Sequence, residues 1–128
     1  MTYLLDTHVL LWMLTDPDQL GKKARKAISQ GKNQLLWSAA SFWEITVKVS
    51  LGKLTLQKEW ITTLEREKKR LRIRDLPIHW QHCQHQLSLP WHHRDPFDRL
   101  LICQAMGEKA TLITRDKNIQ RYQIKTLW

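Results

Sequence analysis

Three short apolar runs punctuate the chain: Tyr3 to Leu5, Gln34 to Trp37 and Thr111 to Thr114, each bounded by polar or turn-forming residues. Runs of this length between such flanks read as buried strands. Helical patterning follows the first over Thr7 to Leu14 and then Gln19 to Gln30, follows the second over Ala40 to Leu51, and precedes the third over Pro96 to Gly107. This alternation predicts an α/β fold, a three-layer sandwich of helices around a mostly parallel central sheet. Two more helices are expected at Leu56 to Leu71 and Ile78 to Leu87, a short strand near Arg72 to Asp75, and a last strand near Gln123 to Leu127. Gly52, Pro77 and Pro90 mark the joins, and with no long linker or low-complexity tract residues 1–128 read as a single domain.

Composition adds a charge. With 21 Lys and Arg against 12 Asp and Glu, the formal net charge of +9 favours a polyanion such as nucleic acid and disfavours a cationic substrate. Cys83 and Cys103 are too few for a disulfide framework and fit no paired metal motif, so both are expected to be reduced, buried thiols of a cytoplasmic protein. The N-terminal apolar stretch has no basic leader and is interrupted by Asp6 and His8, which predicts neither a signal peptide nor a membrane span. Seven Trp, at 12, 37, 43, 60, 80, 91 and 128, follow no repeat and are expected in the core or facing a partner.

The carboxylates change the picture most. Open parallel sheets place functional groups outside the carboxyl ends of their strands. Asp6 follows the first predicted strand and Asp116 the third; Glu44 falls in the first turn of the helix after the second; Asp95 and Asp98 flank the start of the helix before the third. Each has a local structural explanation. Ser41 and Glu44 match a capping box, Asp95-Pro96 an N-cap with Pro at N1, Asp98 an acid at N3, Asp6 a cap before Thr7, and Asp116 a turn. Those explanations leave the joint placement unaccounted for: five of only 12 acids stand at strand ends or adjoining helix starts. Carboxylates brought together repel one another unless a cation sits between them. Oxygen ligands of this kind suit Mg²⁺ or Mn²⁺ better than zinc, and such an ion can activate water against a phosphodiester.

Four segments in order resemble the PIN-domain family, specifically its VapC-like toxins: Tyr3-Leu4-Leu5-Asp6-Thr7-His8, Ser38-Ala39-Ala40-Ser41-Phe42-Trp43-Glu44-Ile45, His93-Arg94-Asp95-Pro96-Phe97-Asp98-Arg99-Leu100 and Thr114-Arg115-Asp116. The resemblance implies a PIN-like fold and an acidic catalytic and metal-binding set of Asp6, Glu44, Asp98 and Asp116, with Asp95 as a neighbour or supplementary ligand. It implies hydrolysis of RNA with Mg²⁺ or Mn²⁺ as cofactor and no covalent intermediate. A cognate antitoxin protein and a homodimer are the implied partners. His8 stands where many PIN domains have Asn. Thr7 and Thr114 are expected to orient the acids by hydrogen bonds, and His93, Arg94, Arg99 and Arg115 to contact nucleic acid. A catalytically silent nucleic-acid-binding module on the same fold is the alternative; a phosphatase with an N-terminal Asp nucleophile is disfavoured, since His8 replaces the second acid such chemistry uses.

Other features read more plainly. His79, His82 and His85 beside Cys83 drift around a helix without a second ligand pair, which predicts a surface or partly buried face rather than zinc. The basic run from Arg66 to Arg74 and the group Lys22, Lys23, Arg25 and Lys26 predict solvated helix faces, with phosphate contact as the second reading. Trp12, Leu51, Leu54, Leu56, Trp60 and Leu64 are expected to pack in the core ahead of lining a partner groove.

Overall fold

In the computed structural model, which describes residues 1–128, five parallel strands form one sheet in the order β3-β2-β1-β4-β5. The strands are β1 (Thr2–Leu5), β2 (Gln34–Ser38), β3 (Ile73–Leu76), β4 (Thr111–Ile113) and β5 (Thr126–Leu127). Six helices connect them: α1 (Thr7–Thr15), α2 (Lys22–Ser29), α3 (Ala39–Ser50), α4 (Trp60–Arg70), α5 (Trp80–Gln84) and α6 (Pro96–Glu108). No helix is long and apolar enough to cross a membrane.

Strand periodicity produces the layers. Successive side chains of a strand point to opposite faces, so Tyr3, Leu5, Leu35 and Trp37 join one core with Val9 and Leu10 of α1, Ala27 and Ile28 of α2, Ile45 of α3 and Leu64 of α4. Leu4, Leu36 and Leu112 join a second core with Leu101, Ile102 and Ala105 of α6. Both faces of the sheet are therefore covered, and the near-continuous apolar character of its strands follows from that double burial. The expected sandwich is present, and its sheet is entirely parallel.

The departures from the expected boundaries have local causes. Arg72 takes the left-handed conformation at φ 56°, so β3 starts one residue late. Leu56 packs against the core before α4 begins at Trp60, and α5 gives way to a 3₁₀ turn over His85–Leu87. Trp37 is buried in the core, whereas Trp43, Trp80 and Trp91 are largely exposed; Leu51, expected to pack in the core, is exposed instead. Cys103 is buried but Cys83 is exposed, so only one thiol matches its expected place. Of the histidine triplet, His82 is buried, with Nε2 3.0 Å from Glu108 Oε2 and Nδ1 accepting the His79 backbone N–H.

Candidate active site

The sheet's topology locates a crevice. From β1 the chain steps to β2 and β3 on one side, while β4 and β5 lie on the other. The helices leaving neighbouring strands diverge at such a switch point and leave a cleft beyond the strand ends. Asp6 is the first residue beyond β1, the central strand; Thr114 and Asp116 follow β4, its neighbour.

Thr114 Oγ1 donates to Asp6 Oδ2 at 2.7 Å and accepts the Asp116 backbone N–H at 3.0 Å. One hydroxyl thus couples acids from opposite ends of the chain. Asp116 Oδ1 accepts the backbone N–H groups of Asn118 and Ile119, so its turn-forming role is present as well. Asp6 sits at the N-cap position of α1 but its side chain makes no capping hydrogen bond; it is buried and held by Thr114 instead.

On the other side, Thr7 Oγ1 lies 2.8 Å from Ser41 Oγ and 2.9 Å from Glu44 Oε1. The carboxylate only accepts and Thr7 has one proton to give, so Ser41 donates to Thr7 and Thr7 to Glu44. Lys48, one turn further along α3, donates to Glu44 Oε2 at 2.6 Å. This network replaces the expected capping box. Ser38, not Ser41, caps α3 by accepting the Ala40 N–H, which puts Glu44 in the second turn with its carboxylate directed at Thr7.

Asp95 caps α6 as its sequence implies, with Oδ1 accepting from the backbone N–H groups of Phe97 and Asp98 at 2.9 and 3.0 Å. Asp98, at N3 of the same helix, points into the acidic group. Burial, followed by the fields of Asp95, Asp6, Asp116 and Glu44, pushes its carboxyl up to about 8. Asp6 is raised from the ordinary carboxylate range by burial, against the opposing effects of its Thr114 hydrogen bond and His8. The five sequence-predicted acids therefore act on one another through space. No three His, Cys, Asp or Glu side chains close into a ready-made metal cage. The donor set nevertheless suits a hard divalent cation: it consists of carboxylate oxygens, and two of its members bear the electrostatic cost that such an ion relieves.

The basic residues divide sharply. Arg94 and Arg115 are exposed, and Arg115 lies over the Trp12 ring at 4.3 Å. Arg99, expected to contact nucleic acid, is instead 2% exposed, and its guanidinium donates to Pro90 O, Leu89 O and Tyr122 OH while stacking on Trp91 at 3.6 Å. Its donors face the chain's own carbonyls, so it braces the 89–93 loop. His93 is also turned inward: Nε2 lies 3.1 Å from Asp98 Oδ2 and Nδ1 2.8 Å from Tyr122 OH. Both ring nitrogens are thereby engaged, and the expected phosphate contact is not available to them. Sequence reasoning passed over Lys48, whose i,i+4 spacing from Glu44 was a usable signal, and Tyr122, which carried none.

A family model for the PIN domain matches residues 3–125. Among solved structures, the chain is similar to VapBC2 from Rickettsia felis bound to a DNA fragment from its promoter, at 16% identity and a TM-score of 0.70, covering 99% of this chain and 98% of that one. It is also similar to VapBC-1 from nontypeable Haemophilus influenzae, at 20% identity and a TM-score of 0.69, covering 99% and 97%. No curated protein matches the sequence. At these identities the two structures establish the likeness of fold, and with a family model spanning nearly the whole length, the chain belongs to the PIN-domain family.

Proposed function

We propose that this chain is a metal-dependent endoribonuclease that hydrolyses RNA phosphodiester bonds, and that it is the toxin of a type II toxin–antitoxin pair. The carrying observation is the gathering of acids in a basic protein: Asp98 is raised to about 8 by burial first and then by the fields of Asp95, Asp6, Asp116 and Glu44. Such a set favours a divalent cation over anything else that a phosphodiester brings near.

In this reading Asp6, Asp98, Asp116 and Glu44 hold Mg²⁺ or Mn²⁺, with Asp95 adjacent and one of its oxygens given to the helix cap. The bound ion supplies an activated water and neutralises charge on the phosphate. Thr114 and Thr7 fix the planes of Asp6 and Glu44 through single short hydrogen bonds. Arg94 and Arg115, exposed on the segments that carry Asp95 and Asp116, attract the RNA backbone that the carboxylates alone would repel. The antitoxin partner is supported by the likeness to two VapBC structures; a second copy of the chain and a cytoplasmic setting belong to the same reading.

Purified protein incubated with a mixed RNA pool and Mg²⁺ or Mn²⁺ is expected to cleave it, and EDTA to stop cleavage. Asp6→Asn and Asp98→Asn are expected to abolish the activity at unchanged circular dichroism, because each removes a ligand charge while keeping the side chain's shape. Full activity in either variant refutes the site. RNA binding without cleavage under every condition identifies the chain as a silent binding module.

A further inference from the structure

Three side chains outside the acid set form a directed chain that ends on Asp98, a member of it. Arg99 NH1 lies 2.8 Å from Tyr122 OH. A guanidinium can only donate, so the phenol oxygen accepts there and its own single proton is free to go elsewhere. Of the acceptors within its reach, His93 Nδ1 stands at 2.8 Å and His93 O at 3.4 Å. Taking the phenol proton along the shorter contact makes Nδ1 an acceptor. A neutral imidazole with an acceptor at Nδ1 carries its proton on Nε2, and Nε2 faces Asp98 Oδ2 at 3.1 Å. The order of donation is therefore Arg99 to Tyr122 to His93 to Asp98. Every member is largely out of solvent: Arg99 is 2% and Tyr122 3% exposed, and the His93 and Asp98 side chains 12% and 15%.

We propose that His93 is a positioning residue of the acid site, locked by Tyr122 and Arg99 as the Nε2–H tautomer so that it pins Asp98 Oδ2 and leaves Oδ1 for a divalent cation. The inference rests on the metal-dependent reading above. Its physical logic is that of a buried ligand carboxylate elsewhere: an ordered donor on one oxygen fixes the plane of the group. A sequence placing His93 five residues before Asp98 suggests only a basic loop; the fold supplies Tyr122, 29 residues beyond His93, which selects the tautomer.

Mn²⁺ binding by the RNA-free protein, measured by electron paramagnetic resonance, separates this role from RNA contact. His93→Ala is expected to weaken Mn²⁺ binding roughly tenfold and to lower kcat with KM for RNA unchanged. Two amide replacements guard against a folding defect. The amide nitrogen of His93→Gln reaches the place of Nε2 and retains most of the Mn²⁺ affinity, whereas that of His93→Asn reaches only the place of Nδ1, toward Tyr122, and loses it. In an Asp98→Asn background, His93→Ala produces no further loss. Wild-type Mn²⁺ affinity in His93→Ala, or equal affinities in the Gln and Asn variants, overturns the positioning role while leaving the nuclease reading intact. Failure of the wild-type protein itself to bind Mn²⁺ overturns both.

Discussion

At the scale of single residues, the acid site is shaped by who donates to whom. Thr114 and Thr7 each give their one proton to a carboxylate, and each hydroxyl is itself held, by the Asp116 N–H and by Ser41. Asp98 shows the cost of burial first and of its acidic neighbours second. Its raised pKa means that between the ordinary carboxyl value of 3.8 and about 8 the folded protein retains a proton that the unfolded chain releases. Linkage then requires stability to fall as pH rises through that window, with the contribution fully present below 3.8 and lost above about 8. Thermal melting without divalent ions is accordingly expected to show a midpoint that declines from pH 5 to pH 8, and a smaller decline in Asp98→Asn. Added Mg²⁺ should raise the midpoint more at pH 8 than at pH 5, since the ion binds the ionised form. Parallel pH profiles for wild type and variant would falsify the assignment of the strain to Asp98.

Elements show where local rules suffice and where they are bent. Helix α6 begins as its sequence dictates, with Asp95 at the cap, Pro96 at N1 and Asp98 at N3, so local chemistry alone aims the first turn of this helix. Its other end breaks the rule: Lys109 occupies the left-handed cap position at φ 52°, which costs a side-chain-bearing residue roughly 1 kcal/mol relative to glycine. Lys109 is exposed and forms no salt bridge, so Lys109→Gly is expected to raise the midpoint of denaturant unfolding with no change in its slope. A gain of about 0.5 to 1 kcal/mol is anticipated after the added flexibility of glycine in the unfolded chain is discounted. A loss of stability would show that the Lys109 side chain has a packing role. Helix α3 illustrates the limit of local reasoning. Ser41 and Glu44 have capping-box spacing, yet Ser38 takes the cap because β2 continues through it, and the freed pair turns to Thr7.

For the molecule as a whole, the contrast between a net charge of +9 and Asp98 in the field of four other acids is the feature that the proposed function has to use. In the proposed function, positive surface would draw the polyanion in, and a divalent ion held by the acids would make the last approach tolerable. RNA binding by the uncleaving Asp6→Asn protein is expected to weaken steeply with salt. Arg94→Ala and Arg115→Ala should each lower the slope of log affinity against log salt by about 0.7, the value for one contact to a single strand. Arg99, spent on the loop carbonyls and Tyr122, is not expected to behave as a surface phosphate contact. An unchanged slope in both surface variants would move the RNA path to another face.

What the sequence by itself determined is what spacing and near neighbours encode. Apolar periodicity placed most strands and helices within a few residues, because burial on both faces of a parallel sheet demands nearly uninterrupted apolar strands. The positions of Asp6 and Asp116 were legible for a similar reason: in an alternating α/β chain, the residues just after a strand lie at the sheet edge wherever the strand ends up. Tertiary structure decided what depends on groups meeting across the fold. Thr114 reaches Asp6 over 108 positions, Tyr122 reaches His93 over 29, and Thr7 reaches Glu44 over 37. The same applies to Arg99, whose charge reads from sequence as a phosphate contact and whose burial only packing against Trp91 and Tyr122 reveals. Hydrogen-bond direction, burial and tautomer are properties of an assembled neighbourhood, so they arise only once the sheet has brought those distant residues together.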